Sequence, residues 1–206
     1  MLAMSPDPET HMTAVQSRRE RDTRLWTADQ FLEFLVTRPD EERWQLVDGI
    51  PTMMVPPSFL HQRIGRNTFR LLDRALETHR PDLLVFYETG VRIPGVDDFS
   101  PIPDLLVVPA DADFARYASS FFLVAEVISP SNTLESIERK LELYRSHPDN
   151  LYCLTVDQDS VHVALYARES GWTRTDLRLL EDTLKLPAFG FEARLADIYK
   201  GTPLAR

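Results

Sequence analysis

Phe121 to Asn132, FFLVAEVISPSN, constrains the fold more than any other stretch. It is an almost unbroken run of apolar and small residues with one carboxylate, Glu126, and it breaks at Ser129-Pro130-Ser131. A run too short for a buried helix and ended by proline reads as a central strand covered on both faces. Glu126 then points into protein. An unpaired buried carboxylate is costly, so Glu126 needs an arginine, a shared proton or a metal ion beside it.

The rest of the chain has room for such a strand. At 206 residues it fits one domain of ordinary size. That domain is expected over residues 25–206, and residues 1–24, rich in proline and charge, read as a disordered or loosely attached arm. A net charge of −9 argues against a general nucleic-acid coat protein and leaves a local basic surface open. The single cysteine, Cys153, sits in an apolar segment and can form no internal disulfide, so it reads as a buried structural thiol in a reducing cytoplasm. No stretch reaches the roughly 18 apolar residues of a membrane span, and the start lacks a signal-peptide core. The expected location is cytoplasmic.

Thr27 and Gln30 have capping-box spacing, which predicts a helix over 28–37. Trp44 to Val55 reads as two short strands turning at Asp48-Gly49. The longest helix is expected over 58–79, with Leu60, Ile64, Thr68, Leu71, Leu72, Ala75 and Leu76 on one half of its wheel. His61 falls within that half, either as a satisfied core residue or as a functional one. Arg63, Arg66, Arg70 and Arg74 form a stripe on the opposite half, either a solvated face or a contact for phosphates.

Residues 83–93 read as one alternating strand, followed by Ile102 to Val108, then a connection over 110–120 with a possible helical turn. If the Ile102 strand pairs antiparallel with the Glu126 strand so that Val108 faces Phe122, then Asp104 stands across from Glu126 on the same face. Two carboxylates that close do not both ionise comfortably without a cation, and magnesium, which prefers oxygen ligands and keeps waters, would resolve the conflict. The competing reading has Asp104 capping the strand start and Glu126 paired with a buried arginine. The next helix is expected over 132–146, with Leu134, Ile137, Leu141, Leu143 and Tyr144 on its apolar half. Lys140 alone among its charged residues lies in that half. It either snorkels along the sheet or reaches Glu126 and Asp104. Two strands around Asp157 to Ser160, a short strand around Trp172 and a final short helix over 195–199 complete the chain. No glycine-rich phosphate loop is present.

Pro103-Asp104, then Glu126, then Lys140 on the following helix is a constellation that resembles the PD-(D/E)XK nuclease superfamily. More closely, the chain resembles the bacterial Uma family of restriction-endonuclease-like proteins. The matching segments are QLVDG, HQRI at His61, PDLLVV at Pro103, VAEVISPSN at Val124, KLELY at Lys140 and LPAFGFEARLADIY near the end. The resemblance implies an α/β (mixed α+β) fold, a restriction-endonuclease-like core whose mixed central sheet is flanked by helices. It also implies magnesium, with manganese as a substitute, held by Asp104, Glu126 and the backbone carbonyl of Val127. In the superfamily a lysine two residues after the glutamate contacts the attacking water; Ile128 occupies that position here, and the family's lysine on the next helix matches Lys140. Gln45 stands where the family usually shows an acid, and with Ser129 and Tyr144 it is a supporting position.

The implied activity is metal-dependent hydrolysis of phosphodiester bonds in nucleic acid, with DNA as the first substrate and a homodimer as the expected assembly. His61 would bind the metal through water or contact the scissile phosphate. The alternative keeps the fold without the cutting: a nuclease-like domain that binds DNA or a protein partner. A carboxylate-pair glycosidase is a more distant reading.

Overall fold

The computed structural model describes residues 25–113, 116–130 and 132–206. The expected arm over 1–24 lies outside them. Helix α1 (Ala28–Val36) starts on the expected capping box, with Gln30 N–H donating to Thr27 Oγ1 and Thr27 N–H to the Gln30 side chain. Strands β1 (Trp44–Val47) and β2 (Ile50–Met53) form the expected hairpin, and Asp48 and Gly49 both take the positive φ that such a two-residue turn requires. Helix α2 (Phe59–His79) is capped by Ser58 and buries Ile64, Thr68, Leu72 and Leu76.

The expected strand over 83–93 is broken. Strand β3 (Leu83–Tyr87) ends at Glu88, which sits at φ +43, and the chain restarts as β4 (Gly90–Val91). After β5 (Leu105–Pro109), the connection over 110–120 holds a strand, β6 (Tyr117–Ala118), in place of a helical turn among the described residues; β6 runs parallel to β4. Then come β7 (Leu123–Ile128), helix α3 (Leu134–Ser146), β8 (Tyr152–Asp157) and β9 (Val163–Ala167). The strand expected near Trp172 starts two residues later, as β10 (Arg174–Leu177), because Trp172 takes a turn conformation at φ +63. The tail forms a separate hairpin, β11 (Thr183–Leu186) with β12 (Phe191–Arg194), before the short α4 (Leu195–Ile198).

Six strands make one mixed sheet in the order β10-β9-β8-β7-β5-β3. Only β7 and β8 pair in parallel, and α3 is the crossover between them. Both faces of the sheet are covered. Ile64, Leu72 and Leu76 of α2 pack with Leu105, Val107, Leu123, Ala125 and Val127 on one face. Leu141, Leu143 and Tyr144 of α3 pack with Leu106, Val108, Val124 and Cys153 on the other. Each fully buried side chain of this size contributes about 1.5–3 kcal/mol, so β5 and β7, apolar on both faces, cannot shift register without losing packing on both. Leu134, expected on the apolar half of α3, is 79% exposed, because the first turn of the helix lies short of the sheet.

Candidate active site

The β5–β7 register decides the site. Leu105 faces Ala125, Leu106 faces Val124 and Val107 faces Leu123, which is the register expected from the sequence. Carried one step past the strand start, it sets Asp104 across from Glu126. Because side chains alternate along a strand, Asp104 shares the face of Leu106, and Glu126 that of Val124. Glu126 therefore stands on the side that α3 covers, while Asp104, just before the strand, turns its carboxylate to the sheet end, toward Val127 and His61 of α2.

One step further the register sets Pro103 against Val127. Proline has no N–H to donate, so the ladder does not extend there and the Val127 backbone groups on that edge have no strand partner. Its N–H donates to Asp104 Oδ2 at 2.6 Å. Ile128 accepts from Gln158 N–H on the β8 side, and strand groups alternate in direction, so the carbonyl of Val127 faces the Asp104 side as well.

Helix α2 brings His61 to the same place. Its Nε2 lies 3.1 Å from Asp104 Oδ1, and both side chains are 16% exposed. His61 is thus neither a plain core residue nor free; it sits one turn into the helix that Ser58 caps. Helix α3 supplies the partners of Glu126. Lys140 Nζ donates to Glu126 Oε1 at 3.2 Å, and Tyr144 Oη donates to the same oxygen at 2.8 Å. The partner of the buried carboxylate is therefore a lysine and a tyrosine, not an arginine.

Burial pushes the Glu126 carboxyl above its ordinary range, and the charge of Asp104 adds to the rise, while Lys140 and Tyr144 oppose it. Burial likewise holds the Tyr144 hydroxyl well above its usual value, with the Glu126 charge adding to it, so it stays a donor. Burial also raises Cys153, to about 12; its thiol accepts from Asn150 and is structural.

Asp104 and His61 open onto a cleft of about 530 Å³ whose lining includes Ser58, Ser129, Gln158, Arg43 and Glu88. Ser129 closes the end of β7 on Asn132, through its N–H at 2.8 Å and its hydroxyl at 3.0 Å. Ser58 donates to the Gln158 side chain at 3.0 Å, tying the start of α2 to the β8–β9 turn. Arg43 pairs with Glu88 at the cleft edge, and no sequence signal marked either residue. Gln45 is not among the residues lining the cleft; its side-chain oxygen is buried on β1 without a hydrogen bond. Arg63, Arg66, Arg70 and Arg74 are solvent-exposed along α2 and do not converge on the carboxylates.

Asp104, Glu126 and the Val127 carbonyl are a set of hard oxygen donors. Among the described residues no three His, Cys, Asp or Glu side chains converge as a metal-holding group. This donor set fits an ion that takes one or two carboxylates and keeps much of its water, as magnesium does, and does not fit a closed structural zinc site.

A family model, Uma2, described as "Putative restriction endonuclease", matches residues 28–196. The chain belongs to the Uma2 family. Among solved structures, five chains match. One of them, from Anabaena variabilis ATCC 29413 and described as "a putative nuclease belonging to DUF820", superposes with a TM-score of 0.69. It is 15% identical, and the match covers 84% of this chain and 97% of that one, which establishes a shared fold. No functionally curated protein matches. The Uma2 assignment agrees with the mixed sheet and with a nuclease-like activity on nucleic acid. No helix among the described residues is long and apolar enough to cross a membrane.

Proposed function

We propose that this Uma2 chain is a magnesium-dependent endonuclease that hydrolyses phosphodiester bonds, with DNA as its first substrate. The observation that carries the reading is the convergence of Asp104, Glu126 and Lys140 at the one edge where Pro103 stops the β5–β7 ladder. Asp104, Glu126 and the Val127 carbonyl would hold the ion. When bound, magnesium or manganese supplies Lewis-acid polarisation of the phosphate and a more acidic water.

The chain's own residues do the rest. Lys140 anchors Glu126 through one oxygen, orients the attacking water and offsets charge that develops on the phosphate oxygens. Tyr144 fixes the same oxygen from the next turn of α3. His61, held by Asp104, faces the cleft where the scissile phosphate would lie. The exposed arginines of α2 are offered to the flanking backbone. Residues 25–206 act as one unit, a homodimer lets both strands be reached, and the lone buried thiol of Cys153 suits a reducing cytoplasm.

The test is cleavage of supercoiled plasmid with magnesium or manganese by the wild type and by Asp104→Ala, Glu126→Gln and Lys140→Ala prepared in parallel. Nicking by the wild type and its loss in all three variants is the expected result. Four proteins that behave alike would remove the catalytic assignment. Salt-dependent DNA binding without cutting would select the second reading, a binding module, which Ile128 in place of the superfamily lysine favours.

A further inference from the structure

A second groove runs beside the catalytic cleft. It is larger, about 1180 Å³, and adjoins the cleft, with the paired Arg43 and Glu88 lining both. Helix α1 forms one wall, and the short β4–β6 ladder contributes Gly90 and Tyr117. In a chain of net charge −9 the lining carries four arginines against three acids. Two of those acids are already engaged. Glu42 accepts from Arg38 at 3.0 Å and from the Trp44 indole at 2.8 Å, and Glu88 is held by Arg43.

Arg116 is exposed and has no ion pair among the described residues, and Arg92 is only loosely paired. Nη2 of Arg92 makes no hydrogen bond and pairs with Asp29 only at 3.7 Å; the arginine side chain is 37% exposed and Asp29 90% exposed, so a strand phosphate can displace that carboxylate. Phosphate suits a guanidinium in both charge and geometry. The Arg92 guanidinium lies 5.7 Å from the centre of the Tyr117 ring, and that ring packs against Gly90, where any Cβ would collide with it. Tyr117, Tyr87 and Trp44 line the groove together with the four arginines, a mixture of rings and cations of the kind that holds a strand whose bases are unpaired, because only an unpaired base offers a free face for stacking.

We infer that this groove binds the single-stranded continuation of the nucleic acid whose phosphodiester enters the cleft. Arg92 and Arg116 take its phosphates, and Arg43 stands at the junction, exchanging Glu88 for the strand. The direction of the strand rests on the nuclease reading above. The preferred substrate is then single-stranded or frayed DNA rather than continuous duplex.

The test is fluorescence anisotropy with a labelled twelve-residue oligothymidylate and, separately, a blunt duplex of the same length. Both are titrated without divalent metal over a range of salt. Wild type is expected to prefer the single strand. Arg92→Ala/Arg116→Ala should weaken that binding about tenfold or more, and should flatten the slope of log affinity against log salt by about 1.4, roughly 0.7 for each phosphate that is no longer neutralised. Lys185→Ala, on the β11–β12 hairpin, controls for charge and should change neither value. If the double variant fails to fold, Arg116→Glu at an exposed position decides, with a larger loss expected. Unchanged affinity and slope in these variants, a duplex bound better than the single strand, or no binding by wild type would overturn the groove assignment. Plasmid cleavage is scored separately. Cleavage with an unaltered groove profile leaves the nuclease reading standing alone, and groove-dependent binding without cleavage leaves the groove standing alone.

Discussion

Lys140 and Tyr144, four residues apart on one face of α3, donate to the same oxygen of Glu126. Among the described residues no hydrogen bond reaches the other oxygen, Oε2. The helix thus fixes the carboxylate in orientation through one oxygen alone.

Tyr144→Phe separates the two donors. The phenol is buried and its hydrogen bond goes to an ionisable acceptor, so its loss should cost about 1.5–3 kcal/mol where Glu126 is charged. Because Tyr144 opposes the effect of burial, the Glu126 carboxyl should titrate still higher in the variant. Urea unfolding with manganese calorimetry checks both effects. Unaltered manganese affinity between pH 6 and pH 8 would mean that Tyr144 does not tune the site.

Asp104→Asn tests the repulsion between the two carboxyls. Burial first, and Asp104 second, raise Glu126 above its ordinary 4.5. The folded chain therefore keeps a proton that the unfolded chain has already released. The stability from this group is fully present below about pH 4.5 and is lost as pH rises through the folded value. Removing the Asp104 charge should lower the folded value and narrow that window. Carboxyl NMR titration of Glu126 reads the shift directly, and an unmoved titration would show that the two groups do not sense each other.

Exchange of the lysine position tests the role of Lys140. Ile128 lies two residues beyond Glu126, so a side chain there shares the Glu126 face of β7. Lys140→Ala should lower plasmid cleavage by about 100-fold or more, the scale of losing one donor in a preorganised site. Adding Ile128→Lys to Lys140→Ala should restore part of the rate. A double variant no faster than Lys140→Ala would show that the helix position does something the strand position cannot.

Gly90→Ala tests packing. The alanine methyl group would run into the ring of Tyr117, and the ring belongs to a strand paired with β4, so it has little room to yield. Overpacking of this kind costs about 1–3 kcal/mol. A thermal midpoint equal to that of the wild type would mean that β6 moves away from β4 freely.

The residues that could be read in advance are those whose partners follow from periodicity. Apolar runs on β5 and β7 leave one register that buries both strands, so the Asp104–Glu126 juxtaposition follows from counting. Helical phase alone turns Lys140 toward the sheet. Arg43 and Glu88 have no such signal, because they meet only after the β1–β2 hairpin has docked beside the end of β3. Glu88 is hidden inside an alternating pattern, which local strain at φ +43 interrupts. The two-residue β4–β6 pairing is equally silent, since parallel pairing between segments 27 residues apart leaves no mark on either. The burial of Gln45 without a donor follows from its tertiary surroundings, and nothing in QLVDG foretells it.

The parallel pairing of β7 with β8 has a consequence for chain economy. Two parallel neighbours cannot be joined by a tight turn, so the polypeptide must travel back over the sheet before it can begin the second strand. That return journey is compulsory for any chain with this topology, and here it carries an ammonium group directly above the carboxylate it left behind. A lysine on that path reaches Glu126 with no added segment.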